Sequence, residues 1–424
     1  GVKPETAAPY VSLLYYIKNA ESISKGQKDA SELGVRALDD FTLEVEMERP
    51  TAFFDKMTSH YIFAPLPKWI IEKYGDKWTR PENIVGNGAF KVVEHTPYSQ
   101  VVAVKNSTYW DAASVKLDKV LFIHLENNST GLNLYKAGDV YTMQTGSIPL
   151  PFLKVLKHKK DYRKGAVFTT YFYSINVAKE PFKDLRVRRA LNLAIDKAAI
   201  TDKLIGKGDV PATSIVPSGV AGYESAKGET YDPEKAKQLL AEAGFAEGKG
   251  FPKITIYFNT SDAHRQIAEA VQRMWKETLK INVELQNEEW QTFQARWENR
   301  DFDVCRDAWQ GDYLDPNAFL ELFATKSPNN HCGWTDEKYK SLLDAANSEP
   351  DREKRMRMLK DVEQMLVDEM PIIPLYHYGM SYLQKPFVEG WYENLFDIHP
   401  MKYVSIDTNW KPELNTASTE RRRQ

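Results

Sequence analysis

The sequence predicts an α/β protein, and three consecutive runs of residues carry that prediction. Lys253 to Phe258 is short, β-branched and aromatic, and is bounded by Asn-Thr-Ser-Asp, as a strand would be. From Ala263 to Leu279, Ile267, Val271, Met274 and Trp275 recur at helical spacing. Ile281, Val283 and Leu285 then alternate as a second strand. Strand, helix and strand in that order make the unit from which parallel sheets with right-handed crossovers are built. A helix-like stretch from Trp290 to Arg300 and a third strand from Phe302 to Trp309 continue the pattern.

Taken in order, the remaining elements divide the chain. Gly34 to Met47 reads as two short strands around Asp39-Asp40, a hairpin pattern. Phe90 to Val93, Gln100 to Lys105 and Lys119 to His124 add short β-like segments, so the chain is β-richer before residue 130 and βα-rich after residue 180. Val187, Ala190, Leu191, Ala194 and Ile195 form an apolar stripe that predicts one amphipathic helix from Asp184 to Ile205. Asp232 caps a further helix with Pro233 at its first position, and Gly244 closes it. Met356, Leu359, Val362 and Leu366 share a helix face between Arg352 and Met370, and Ile372 to Tyr378 reads as a strand. No repeat of fixed period appears.

Composition narrows the function. A chain of 424 residues suits two or three domains. Its 56 basic and 59 acidic residues leave a net charge of −3, too balanced for a nucleic-acid binder working by bulk electrostatics. Apolar runs such as Met370 to Tyr376 fall far short of the ~18 residues a membrane-spanning helix needs. With 22 Tyr, 19 Phe and 10 Trp the chain is rich in aromatic surface, which suits a protein that encloses a ligand. Cys305 and Cys332 are too few for a disulfide framework or a cysteine metal site; a single bridge and two free thiols both remain open. The start, Gly1-Val-Lys-Pro, has neither initiator Met nor signal-like regions, so either a signal has been removed or a longer piece is absent. Residues 409–424 read as a mobile polar tail.

No catalytic signature is present: there is no nucleophile elbow, dinucleotide fingerprint, phosphate-binding loop or zinc-protease motif. Val85 to Phe90 has two glycines but no following helix pattern, and reads as a turn. His331-Cys332 are adjacent, which on a strand would point them to opposite faces, so a loop with a free thiol is favoured over a metal site. One segment stands out. Asp303 to Pro316 runs as a strand to Trp309, breaks at Gln310-Gly311, and continues into an acidic and aromatic cluster. Ligands of open α/β sheets bind just past the carboxyl ends of strands, which is where Asp312 and Asp315 fall, beside Trp309 and Tyr313. A carboxylate among aromatic rings can neutralise a cationic ligand group. Asp315-Pro316 can equally cap a helix from Asn317 to Phe323, and Asp312 can be a turn residue.

DVCRDAWQGDYLDPNAFLELF, from Asp303 to Phe323, resembles the signature stretch of oligopeptide-binding proteins, the family 5 extracellular solute-binding proteins of bacterial ABC importers. The likeness continues in register through PKWIIEKYGDKWTRPENIVGNGAFKV (67–92), KEPFKDLRVRRALNLAID (179–196), LLAEAGF (239–245), YFNTSDAHRQIA (257–268), NEEWQTF (287–293) and IIPLYHY (372–378).

This resemblance implies a periplasmic-binding-protein-like, two-lobed clam-shell with an additional third domain that is incomplete at its N-terminal side. Residues 1–67 match the latter part of the extra domain, 68–168 and 379–408 lobe one, and 169–378 lobe two. Relatives carry further residues before this start, including the first strands of lobe one. The implied function is an extracytoplasmic receptor, periplasmic or lipoprotein-anchored, that binds oligopeptides between closing lobes and delivers them to ABC transporter permease subunits. It is expected to be a monomer with no cofactor, metal or catalytic residue. By the resemblance, Asp312 pairs with the peptide α-ammonium, and Ala308 and Gln310 offer backbone contacts. Trp290, Trp309, Tyr171, Phe172 and Tyr378 are cleft aromatics, for each of which lobe core is the alternative. Arg306 and His264 meet the C-terminal carboxylate at different peptide lengths. Arg306 could equally form a structural ion pair, and His264 could be only an exposed first-turn residue. A disulfide that some relatives place between the positions of Thr169 and Gln310 is absent here as a pair. Two alternatives stay open: the same fold binding a cell-wall peptide, haem, a nickel chelate or an oligosaccharide, and a hydrolase using Asp312 and Asp315.

Overall fold

The alternation from Lys253 to Trp309 becomes sheet in a computed structural model that describes residues 1–6, 10–324 and 329–411. The chain forms two compact units, Gly1–Pro65 with Val167–Gly379, and Leu66–Ala166 with Met380–Gln424. In the first, strands Ile254–Asn259 and Val283–Glu288 pair in parallel, with helix Asp262–Leu279 as their crossover. Strand Val304–Gln310 lies on the other side of Ile254–Asn259 and runs antiparallel to strand Tyr162–Ile175, beyond which lies strand Ile372–Gln384.

The period-two pattern decides which face is covered. Ile254, Ile256 and Phe258 are buried, and the helix face of Ile267, Val271 and Trp275 packs in the same cluster as Val187, Leu191 and Leu240. Each such aliphatic side chain contributes about 1.5–3 kcal/mol on burial. The Trp275 indole N–H is not wasted, donating to the Leu191 carbonyl at 2.9 Å. Residues 1–65 join this unit with a small core of their own around Leu14, Ile17, Ala20 and Ile23, and the expected hairpin pairs Val35–Ala37 with Leu43–Val45.

Two expected elements differ. The single helix expected from Asp184 to Ile205 is broken: it runs Leu185–Leu193, then restarts at Lys197. The Asp196 carboxylate caps the restart by accepting from the Ala199 N–H, and the Lys197 ammonium turns inward to Asn192 Oδ1 and the Ala212 carbonyl. The apolar stripe is real, but a cap inside it splits the helix. The strand expected at Ile372–Tyr378 extends to Gln384.

The second unit contains an antiparallel sheet of Phe90–Thr96, Gln100–Lys105 and Lys119–Ile123, in that order, as the short β-like segments implied. Helix Asn128–Ala137 is capped by Asn127 and packs Leu132 and Tyr135 against Met143, Leu153 and Leu383. No helix among the described residues is long and apolar enough to cross a membrane. Of the expected polar tail, residues 412–424 lie outside the described residues.

Candidate ligand-binding site

Three turns of the first unit leave the carboxyl ends of neighbouring parallel strands, and each carries an expected site residue. His264 stands in the first turn of the helix after Ile254–Asn259, Trp290 opens the helix after Val283–Glu288, and Asp312 follows Val304–Gln310 by two residues. The intervening Gly311 is required by close approach, since a Cβ there would lie 2.5 Å from the Phe168 ring. Its N–H bonds the Phe168 carbonyl at 2.9 Å, which ends the ladder and releases the chain toward Asp312.

Strand Val304–Gln310 has an open edge. Its register with Tyr162–Ile175 runs from Val304 opposite Ile175 to Gln310 opposite Thr169. Bonds from Gly311 N–H to Phe168 O and from Asn176 N–H to Asp303 O show that the odd-numbered residues face that partner. The even-numbered main-chain groups therefore point the other way. There, the parallel pairing covers only Val304 and Cys305 among the described residues. The backbone groups of Ala308 and Gln310 thus lie along an edge without a strand partner, although the Ala308 N–H is engaged by the neighbouring Asp307 carboxylate at 2.8 Å. Thr169 and Gln310 are cross-strand partners, and neither is cysteine; Cys305 and Cys332 are both buried free thiols.

Side chains sort by the same parity. Arg306 and Ala308 share a face with Tyr173 and Tyr171. Tyr171 stacks on Tyr376 at 4.8 Å, with Tyr378 at 6.2 Å and His264 at 5.6 Å. The Arg306 guanidinium carbon lies 5.2 Å above the Tyr171 ring. Its Nη1 is 3.4 Å from Asn259 Oδ1, and its buried Nε has no hydrogen-bond partner among the described residues. His264 is half-buried rather than solvent-exposed, touches the Tyr171 hydroxyl at 3.3 Å, and is pushed down to about 3 by burial and by the Arg306 charge. Arg306, Tyr171, Tyr378 and His264 therefore come together. Phe172 does not join them: it lies on the opposite face, with Asp307, and is buried. Trp309 shares that opposite face and donates its indole N–H to the Ala318 carbonyl at 2.8 Å. Trp290 is exposed and stacks on Phe293 at 6.1 Å.

Asp312 is largely buried, with 19% of its side chain exposed, and accepts no hydrogen bond among the described residues. Burial alone pushes its carboxyl up to about 6. The cation nearest it is conditional: His60 Nε2 stands 4.0 Å from Oδ1, and burial lowers the His60 pKa. Tyr10 and Tyr61 flank that imidazole, with ring centroids 5.0 and 4.1 Å away. Nothing in the sequence links His60 to Asp312, because the contact depends on how residues 1–65 pack. The MTSHYIFAP run gave only an aromatic cluster as a clue.

Asp315 is quite different. It is fully buried, pairs bidentately with Arg355 at 2.7 and 2.8 Å, and takes a third charged bond from Lys56 at 3.0 Å. It also accepts from the Asn317 N–H, the helix-start role open to it in the sequence. Its charge is spent within the protein, so it does not join Asp312 as a second reactive carboxylate. Ser174, Asp307 and His331 have the composition of a hydrolytic triad but the wrong order. Ser174 Oγ and His331 Nδ1 both contact the same Asp307 oxygen, at 2.7 and 2.9 Å, and all three residues are buried. No group of three His, Cys, Asp or Glu suited to a metal ion occurs among the described residues.

An underpaired carboxylate just past the carboxyl end of a strand, with an underpaired arginine and an open edge on that same strand, offers groups that a ligand with charged ends and a free main chain can satisfy. The profile of the bacterial extracellular solute-binding proteins, family 5 (middle part), matches residues 2–331. The chain belongs to this family. It is 37% identical over 398 residues to the periplasmic oligopeptide-binding protein OppA of Salmonella typhimurium, covering 92% of this chain and 73% of that protein. Among solved structures, a periplasmic oligopeptide-binding protein of Borrelia burgdorferi superposes with a TM-score of 0.82 at 34% identity, covering 96% of this chain and 82% of that one. Haemophilus influenzae OppA in complex with RPPGFSPFR superposes with a TM-score of 0.78 at 31% identity, covering 96% and 81%. These neighbours have the clam-shell fold that the resemblance implied.

Proposed function

We propose that this chain is a peptide-binding receptor of a bacterial ABC importer, taking an extended oligopeptide by its main chain and its α-ammonium. One observation carries the reading: a strand edge at Ala308 and Gln310, without a strand partner among the described residues, runs directly into a buried carboxylate whose nearest basic group there is the conditionally charged His60. An added strand satisfies such an edge without regard to side chains, and an ammonium satisfies Asp312. Arg306 and His264 take the carboxylate end. At about 3.3 Å per residue, the strand from Arg306 to Gln310 spans about 13 Å, the reach of roughly four peptide residues. Tyr171, Tyr378 and Trp290 flank that path, and Trp309 and Phe172 support it from the other face of the sheet.

Residues 1–67 serve as the latter part of the family's extra domain, 68–168 with 379–408 as lobe one, and 169–378 as lobe two. The receptor works outside the cytoplasmic membrane as a monomer and hands its ligand to permease subunits. Hydrolysis is disfavoured by Asp315, which Arg355 and Lys56 already neutralise. Sugars are disfavoured by the charge of Asp312.

Calorimetric titration with a tri- to pentapeptide pool, and with the same pool Nα-acetylated, tests this reading. Binding abolished by acetylation is the expected result. Removing one partner of a desolvated charge pair costs ~2–5 kcal/mol, so Asp312→Ala weakens binding about thirtyfold or more. A loss below about threefold, or equal binding of both pools, overturns the assignment.

A further inference from the structure

Residues 1–65 hold a second component of the ammonium site. His60 opens the short turn Tyr61–Phe63, and its Nδ1 accepts the Ile62 N–H at 3.3 Å. In a neutral imidazole the nitrogen that accepts has no proton, so the proton sits on Nε2, the atom 4.0 Å from Asp312 Oδ1. Tyr10 and Tyr61 both pack against the ring and against each other, and only 8% of the His60 side chain is exposed. The imidazole is thus fixed in tautomer and packed in place, and its one remaining N–H belongs to the basic side chain that stands within 4.0 Å of a carboxylate that accepts no hydrogen bond among the described residues. Contacts of this kind are often long in an unliganded site and shorten when ligand arrives.

We propose that His60 is the positioning residue of the ammonium site: its Nε2–H engages Oδ1 of Asp312, stabilises the ionised carboxylate, and leaves Oδ2 for the ligand's ammonium. The inference rests on the reading of Asp312 as the ammonium partner. The other ionisable groups acting on this pair are Tyr10, whose phenol senses the Asp312 charge, and Glu321, a buried acid raised to about 7 by its own burial. Neither offers Asp312 a cation. A donor to the ionised form lowers a carboxyl pKa, so removing the imidazole must move the titration of Asp312 upward.

The test is calorimetry of trialanine and Nα-acetyl-trialanine between pH 5 and 8.5, on wild type, His60→Leu and His60→Gln. Alongside it, carbon-13 NMR follows the Asp312 carboxyl in the unliganded proteins. His60→Leu is expected to raise the pH at which trialanine affinity halves by about half a unit or more, while affinity at pH 8 stays within about threefold of wild type. His60→Gln, which keeps an N–H donor, holds the wild-type midpoint. A uniform loss at every pH without a shift, or no change at all, overturns the proposal. Should wild type bind both probes equally or bind neither, the ammonium reading fails. The NMR midpoint still judges His60 by itself, since an Asp312 titration unmoved in both variants refutes its role. If His60→Leu does not fold, a His60→Ala variant carries the same comparison.

Discussion

In the proposed site, Asp312 is the residue at which binding and stability oppose one another. Its folded pKa is about 6 against an ordinary 3.8, with burial as the cause, so the folded protein holds that proton more tightly than the unfolded chain. The sign follows: this contribution favours the folded state below about pH 4, declines as pH rises to about 6, and is flat above. At pH 7 the ionised carboxylate costs up to about 3 kcal/mol, at 1.36 kcal/mol per pKa unit. Asp312→Asn is therefore expected to raise the melting temperature of the unliganded protein at pH 7 while weakening peptide binding. A lower melting temperature would show that pairing of the ionised carboxylate, as by His60, outweighs the cost of its burial. Affinity carries the complementary pH dependence. On the proposed pairing with a ligand ammonium, binding needs the ionised carboxylate, so affinity is expected to be level just above pH 6 and to fall below it by up to about tenfold per pH unit. Titrations at pH 5 and 7 that return equal affinities would remove the ammonium pair from the mechanism.

The strand Val304–Gln310 supplies what a single residue cannot, namely direction. Its odd-numbered main-chain groups are committed to Tyr162–Ile175, while Ala308 and Gln310 look toward the open edge. Hydrogen exchange separates the two sets: the Trp309 amide is protected with or without ligand, whereas the Gln310 amide exchanges freely until peptide binds and then slows at least about tenfold. Equal protection of Gln310 in both states would mean that the ligand does not add as a strand. The strand itself was legible in the sequence, since alternation from Lys253 onward and the break at Gln310-Gly311 are local signals. The position of Asp312 just past the strand's carboxyl end was legible too, whereas its role as ammonium partner rather than turn residue came from the family resemblance and stands as a proposal. The edge was not legible, since it depends on how far Ile254–Asn259 stays beside its neighbour, a matter of sheet geometry and not of any residue's preference. The broken helix at Asp196 shows the same limit in reverse. Its apolar stripe is continuous, and only the caps and the inward turn of Lys197 reveal the stop. His60 was hidden for a third reason: its partner is remote in sequence, and no periodicity reports such a contact.

At the scale of the whole molecule, the site is assembled from distant stretches of chain, so its integrity depends on what fastens residues 1–65 to the sheet that carries Asp312. That fastening combines buried ion pairs, aromatic packing and one exposed ion pair. Asp315 bonds Arg355 through both oxygens and also takes Lys56, while Phe53 stacks on Tyr313 and lies under the Arg355 guanidinium, 4.9 Å from its carbon. Tyr16 adds a 2.6 Å bond to the buried Glu321, and Arg49 reaches Asp344. An ion pair so placed repays its desolvation only while both partners remain. Asp315→Asn leaves the Arg355 charge buried and unmatched, which is expected to cost about 3–5 kcal/mol, whereas Lys56→Met, at the partly exposed member, costs under about 1 kcal/mol. Replacing the pair together, Asp315→Leu with Arg355→Met, is expected to recover most of the loss, because two apolar side chains leave no charge behind. Denaturant unfolding of the three variants measures this directly, and limited proteolysis reports whether residues 1–65 come loose first. If they do, Asp315→Asn also weakens peptide binding without touching the ligand, because His60 leaves with its segment. An unfolding midpoint unchanged by Asp315→Asn would place the fastening elsewhere, in the aromatic contacts of Phe53 and Tyr313.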